Sequence, residues 1–117
     1  MKRTPGRART SHIHARRRAQ RRPSDIAFAR AAALFRAAGD VARLRLLHTL
    51  AHSEWCVSEL AASEGTKLST VSQQLRLLHA ERIVERRRDG KHIYYRLVDD
   101  HVRDLVRAAL EHAGESR

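Results

Sequence analysis

The sequence has a single cysteine, Cys56, so no disulfide framework can be built within the chain. A lone thiol gives no reason to expect an oxidising compartment, and the expected location is cytoplasmic. No apolar run approaches the roughly 20 residues of a membrane span, so no membrane partner is expected. The basic N-terminus has no apolar stretch behind it, and no secretory signal is expected either. His-Glu-x-x-His, the helical motif of zinc peptidases, does not occur, and nothing else suggests an enzyme. Residues 1–23 contain no acid and, after Met1, one large aliphatic residue, Ile13. Such a segment cannot bury a core and is expected to form a disordered arm.

That arm dominates the charge. The net charge is +11, and the nine Lys/Arg before Ser24 supply +9 of it. Residues 24–117 carry fifteen Lys/Arg against thirteen Asp/Glu, a balance of only +2. A polyanionic partner is therefore expected to meet the arm and local patches, not the whole body. With 42% hydrophobic residues over its 117 residues, the chain is long enough for one small domain with a modest core, placed in residues 24–117.

The body opens with Ser24 as a helix N-cap and Asp25 in the first turn. An Ala-rich helix follows from Ile26 and breaks at Gly39-Asp40. Asp40 caps a second helix, with Val41, Leu44, Leu47 and Leu50 at every third residue, Leu46 alongside them, and an end near His52. His48 and His52, four apart, could chelate a metal in principle but lack carboxylate or Cys company. A short third helix is expected over 55–62, with Val57, Leu60 and Ala61 inward.

Residues 63–67, with Gly65 at their centre, read as a turn. The next helix is expected over 69–79, with Val71, Leu75 and Leu78 inward. Two short helices joined by a Gly-containing turn are the pattern of a helix-turn-helix. The outer face of the second carries Ser69, Thr70, Ser72, Gln73, Gln74 and Arg76. These groups can bond base edges and phosphates, and no acid interrupts them from Leu68 to Ala80. Residues 83–97 then alternate with period two around Asp89-Gly90, a strong hairpin signal. The tip gathers Arg86, Arg87, Arg88 and Lys91. A hairpin after a helix-turn-helix is a wing, and Arg88 and Lys91 are its expected phosphate contacts.

The last helix, residues 99–115, holds Asp99, His101, His112 and Glu115. Eleven steps at 100° bring His101 and His112 to within about 20° on the helix wheel, yet roughly 16 Å apart along the axis. One ion cannot bridge that gap within a chain. Two antiparallel copies can close it, joining Asp99 and His101 of one to His112 and Glu115 of the other. Two imidazoles and two carboxylates suit tetrahedral Zn2+, and the same set can take Ni2+ or Co2+. Leu105 and Ala108 lie on the same stripe and make the seam between the sites apolar.

From Ile26 to Glu115 the chain resembles the ArsR/SmtB family of metal-sensing repressors. The words that carry the resemblance are Arg43-Leu44-Arg45-Leu46-Leu47, Cys56-Val57-Ser58-Glu59-Leu60-Ala61, Ser69-Thr70-Val71-Ser72-Gln73-Gln74-Leu75-Arg76-Leu77-Leu78 and Arg88-Asp89-Gly90-Lys91-His92-Ile93-Tyr94-Tyr95-Arg96-Leu97. The Asp-x-His-x10-His-x-x-Glu spacing of the last helix is similar to the zinc-sensing branch.

The resemblance implies a mainly α winged helix-turn-helix with a small β-hairpin, in the order α-α-α-α-β-β-α, acting as a homodimer. It implies a repressor that holds double-stranded operator DNA without metal and releases it when zinc binds. Nickel or cobalt is the alternative inducer, and a metal-independent redox regulator using Cys56 is another. The family also implies a second metal site on the third helix. Here its positions are Cys56 and Glu59, with His12 and His14 in the partner's arm. Ser58 stands where the soft-metal sensors have a second Cys.

Overall fold

Ser24 begins the regular structure, its Oγ accepting the Ala27 N–H at 3.0 Å. The computed structural model describes residues 21–115, with side chains through Gly114. The chain divides into two units, 1–30 and 31–117. The described part of the first, 21–30, holds the first turns of helix α1 (Asp25–Ala38).

The second unit continues α1 and then runs through α2 (Val41–Leu50), β1 (Trp55–Cys56), α3 (Val57–Glu64), α4 (Leu68–Ala80), β2 (Val84–Asp89), β3 (His92–Leu97) and α5 (Asp100–Glu115). Asp40 caps α2 as expected, its Oδ2 accepting the Arg43 N–H at 3.1 Å. The strands form one antiparallel sheet in the order β1-β3-β2. Gly90 closes the β2–β3 hairpin in the left-handed region, φ 63°, where a Cβ would be strained.

The sheet corrects the expected element order. Trp55 and Cys56 are not the first turn of a helix; they pair with Tyr95 and Tyr94 as an edge strand. Two residues are too few for a period to appear, and their extended shape comes from a strand forty residues away. Helix α3 starts only at Val57, where the Glu59 carboxylate accepts the Cys56 N–H at 3.1 Å. Helix α4 begins one residue before the expected start, at Leu68, and α2 ends at Leu50, before His52.

A second correction concerns α2. Val41 is 69% exposed, while Leu46, Leu47 and Leu50 are buried. A three-residue spacing drifts about 60° per step on a helix, so Val41 and Leu50 face opposite ways. The inner stripe is the i, i+1, i+4 set starting at Leu46. Elsewhere Leu60, Ala61, Val71, Leu75 and Leu78 are buried as expected, while Val57 is only half-buried against the core. Val102 and Val106 of α5 complete that core. Val98 N–H donates to the Ile83 carbonyl at 3.0 Å, tying the start of α5 to the start of β2.

Candidate nucleic-acid interface and metal ligands

The turn between α3 and α4 is set by Gly65, whose φ of 63° and ψ of 36° are left-handed. Its N–H donates to Ala62 O at 3.2 Å, and Thr66 N–H reaches Ala61 O at 3.0 Å. This pair of bonds ends the first helix of the motif and redirects the chain into α4. Val71, Leu75 and Leu78 then anchor α4, which turns its opposite face outward.

Ser69, Gln73 and Arg76 are exposed along the crest of that outer face, while Thr70, Ser72 and Gln74 are half-buried on its flanks. On the helix wheel Ser69, Gln73 and Arg76 fall within about 60° of one another, opposite the buried stripe. No ion pair or side-chain hydrogen bond among the described residues engages any of the six. They are free to meet a ligand, and the crest residues extend furthest.

The cationic tip of the wing is not one patch. In a strand successive side chains alternate between faces. Arg86 pairs in register with Tyr95 and Arg88 with Ile93, on the face that also carries buried Val84 and Leu97. Arg87 pairs with Tyr94 on the other face. There its Nε donates to Glu54 Oε2 at 2.9 Å and its Nη2 to Glu54 Oε1 at 2.7 Å. Its guanidinium also lies 4.8 Å from the centroid of the Tyr94 ring. The Arg87 hydrogen bonds hold the Glu54 carboxyl below its ordinary pKa, and Glu54 in turn raises that of Arg87. Arg87 therefore already has an anion. Arg88 and Lys91 remain exposed, and Arg86 joins them as a third exposed cation. Glu54 escaped sequence reasoning altogether, because a single acid in a loop carries no pattern.

The candidate metal ligands lie on α5. Asp99 precedes the helix as its N-cap: Val102 N–H donates to Asp99 Oδ1 at 3.0 Å. His101 Nδ1 stands 3.6 Å from Asp99 Oδ2, so this half of the expected set is together in one chain. The His101 side chain is 97% exposed, and His112 is exposed further along the helix. Glu115 ends α5, and its side chain lies outside the described residues. Leu105 is half-buried and Ala108 and Ala109 are exposed between the two histidines. Among the described residues of one chain, no group of three or more His, Cys, Asp or Glu is arranged to hold a metal.

The other candidates are occupied locally. Cys56 is buried with its Sγ 3.3 Å from Ser58 Oγ, and Glu59 caps its own helix. His12 and His14 lie outside the described residues. His52 Nδ1 donates to the His48 carbonyl at 3.1 Å, and the two rings meet edge to face at 5.2 Å. No helix among the described residues is long and apolar enough to cross a membrane.

Comparison with known proteins bears on this arrangement. Residues 40–86, from the cap of α2 into β2, match the family described as "Bacterial regulatory protein, arsR family". A Synechocystis sp. protein named "Transcriptional repressor SmtB homolog" is 46% identical over 85 residues, which are 73% of this chain and 64% of that protein. The chain thus spans somewhat less than two thirds of that relative's length. A Staphylococcus aureus protein named "Cadmium resistance transcriptional regulatory protein CadC homolog" is 35% identical over 98 residues, 83% of this chain and 77% of that one. Among solved structures, a homodimeric winged helix-turn-helix DNA-binding domain from Mycobacterium bovis superposes with a TM-score of 0.73 at 30% identity. The superposition covers 83% of this chain and 93% of that domain, which is described as "a possible ArsR-family transcriptional regulator".

Proposed function

Because this chain belongs to the arsR family of bacterial regulatory proteins, we propose that it is a homodimeric transcriptional repressor that leaves its operator when zinc binds. The observation that carries the DNA-binding part is the crest of α4. Ser69, Gln73 and Arg76 stand outward, uncommitted, on a helix whose other side is locked into the core. In a dimer two such helices enter successive major grooves of an imperfect palindrome. Gln73 and Arg76 then read base edges, with Thr70, Ser72 and Gln74 toward the groove walls and backbone. Arg86, Arg88 and Lys91 bring the wing against phosphates, and the arm of residues 1–23 adds attraction without sequence preference.

The dimer reading rests on an uncovered apolar strip. Leu34, Phe35, Leu105 and Ala109 line a cleft of about 190 Å³, and Phe35 at its edge is 60% exposed. A second copy of α5 laid antiparallel covers this strip. It also brings Asp99 and His101 of one protomer toward His112 and Glu115 of its partner.

The donor chemistry fits a zinc ion. Two imidazoles and two carboxylates are a set it accepts, and Asp99 and His101 of one protomer with His112 and Glu115 of its partner would hold it, so that the ion would tie the two protomers together. Asp99 keeps one oxygen on the Val102 N–H and leaves the other beside His101. Val98, just before Asp99, is bonded to Ile83 at the root of the wing, which gives a short covalent and hydrogen-bonded route from α5 to the wing. Linkage requires DNA to weaken zinc binding by the same factor by which zinc weakens DNA binding.

The test is a titration of zinc, nickel and cobalt against the purified protein on a labelled duplex that the protein selects from a random-sequence pool. Release by zinc at the lowest free concentration is the expected result. Release by nickel or cobalt first reassigns the inducer, and no release by any of them ends the metal reading.

A further inference from the structure

We infer that Glu54, Arg87 and Tyr94 form a latch across the sheet that sets the wing against the helix-turn-helix, and that Arg87 is a positioning residue for DNA binding, not a phosphate contact. The inference rests on the DNA-binding reading above.

A run of three arginines at a wing tip invites one role for all three. Strand alternation separates them. Arg87 lies in one row of the sheet with Tyr94 and Cys56, because β3 pairs with β2 at Arg87 and with β1 at Cys56. Its guanidinium passes over the Tyr94 ring and takes both oxygens of Glu54, 33 residues earlier in the chain. Glu54 lies two residues before Cys56, and Cys56 is the N-cap of α3. The latch therefore joins the outer strand of the wing to the point from which the helix-turn-helix starts.

Exposed ion pairs usually contribute little, because long side chains lose freedom and water screens the charges. This pair belongs to the exception. The geometry is bidentate, the guanidinium is stacked on a ring, and Glu54 is only 27% exposed. The root of the hairpin is held by buried Val84, Tyr95 and Leu97 and by the pairing of β3 with β1, so what the latch can add concerns the outer part of β2. Beyond Val84 the whole of β2 is half-buried or exposed.

The latch has a consequence that simple electrostatics denies. Removing an acid near a DNA-binding surface ordinarily strengthens binding, since it removes repulsion from phosphate. Here Glu54→Ala frees the wing and weakens binding.

The experiment measures affinity for the duplex selected by the wild-type protein from a random pool, across a range of salt. Glu54→Ala, Arg87→Gln and Tyr94→Leu are each expected to weaken binding about threefold or more, and Glu54→Ala with Arg87→Gln together no more than the worse of the two. The slope of log K against log salt should be unchanged in Arg87→Gln and shallower by about 0.9 in Arg88→Gln. Thermal unfolding establishes that each variant is folded; if Glu54→Ala is not, Glu54→Gln removes the charge while keeping the shape and carries the same outcomes. Unchanged or tighter binding by the Glu54 variant overturns the latch, as does a slope lowered in Arg87→Gln as in Arg88→Gln. A wild-type protein that selects no duplex overturns the DNA-binding reading itself, and this inference with it.

Discussion

Asp99 serves two neighbours with its two oxygens: Oδ1 accepts the Val102 N–H at 3.0 Å, and Oδ2 faces His101 Nδ1 at 3.6 Å. The residue is at once the cap of α5 and half of the candidate metal pair. The two roles can be separated by substitution. Asn caps a helix about as well as Asp but brings no charge to a metal. Asp99→Asn should leave thermal stability nearly unchanged and lower zinc affinity. Asp99→Ala should do both kinds of harm, losing about 1 kcal/mol of stability as well. Equal zinc affinity in Asp99→Asn and wild type would remove Asp99 from the ligand set.

Mixed dimers test whether the ligands come from two chains. His101→Ala and His112→Ala should each abolish tight zinc binding while leaving a folded protein that still binds DNA. A heterodimer of the two places both lesions in one shared site and leaves the other complete. Titration calorimetry should find about one tight zinc per heterodimer and none in either mutant homodimer. A heterodimer that binds none would mean that each ligand set is completed within one chain.

Readout and anchoring should be separable on the DNA side. Gln73→Ala, on the crest of α4, should reduce discrimination at particular bases by about 1–3 kcal/mol. Gln74→Ala, on the half-buried flank, should have the smaller effect on sequence preference. Arg88→Ala should weaken all sequences alike. Binding-site selection with each variant measures this, and an unaltered preferred sequence in Gln73→Ala counts against the assignment.

The arm is expected to act through charge alone. Deleting residues 1–23 removes nine cations and no acid. The slope of log K against log salt should flatten while operator preference is kept. An unchanged slope would show that the arm does not touch the duplex.

The latch also has a pH signature. The Glu54 carboxyl is held below its ordinary 4.5, chiefly by the Arg87 hydrogen bonds. A depressed acid stabilises the folded form fully above its unfolded pKa and loses that contribution as pH falls through the lower folded value. Carboxyl resonances followed by NMR should place the Glu54 midpoint below 4.5 in the wild type. In Arg87→Gln the midpoint should move upward. A midpoint that ignores Arg87 would leave the contact without energetic weight.

Much of this molecule is present in local chemistry. Helical spacing along α4 predicts which side is buried, because a face that repeats at 3.6 residues needs no distant partner to be recognised. Asp89-Gly90 predicts the hairpin because a left-handed turn favours glycine. The eleven-residue interval between the α5 histidines puts both on one face of one helix by arithmetic alone, and the proposal of a site shared between two chains starts from that spacing. What the tertiary structure decided was relational. Trp55 and Cys56 become a strand only because β3 offers its edge. The stripe of α2 turns to Leu46 and away from Val41 because three-residue spacing drifts, and only packing shows which members of it face the core. Arg86, Arg87 and Arg88 are alike in sequence. Strand alternation and a single glutamate 33 residues upstream make one of them a tie within the fold and leave the others for solvent or a ligand. Roles assigned by neighbours across the sheet have no period and no motif, so they could be read only once the chain had folded.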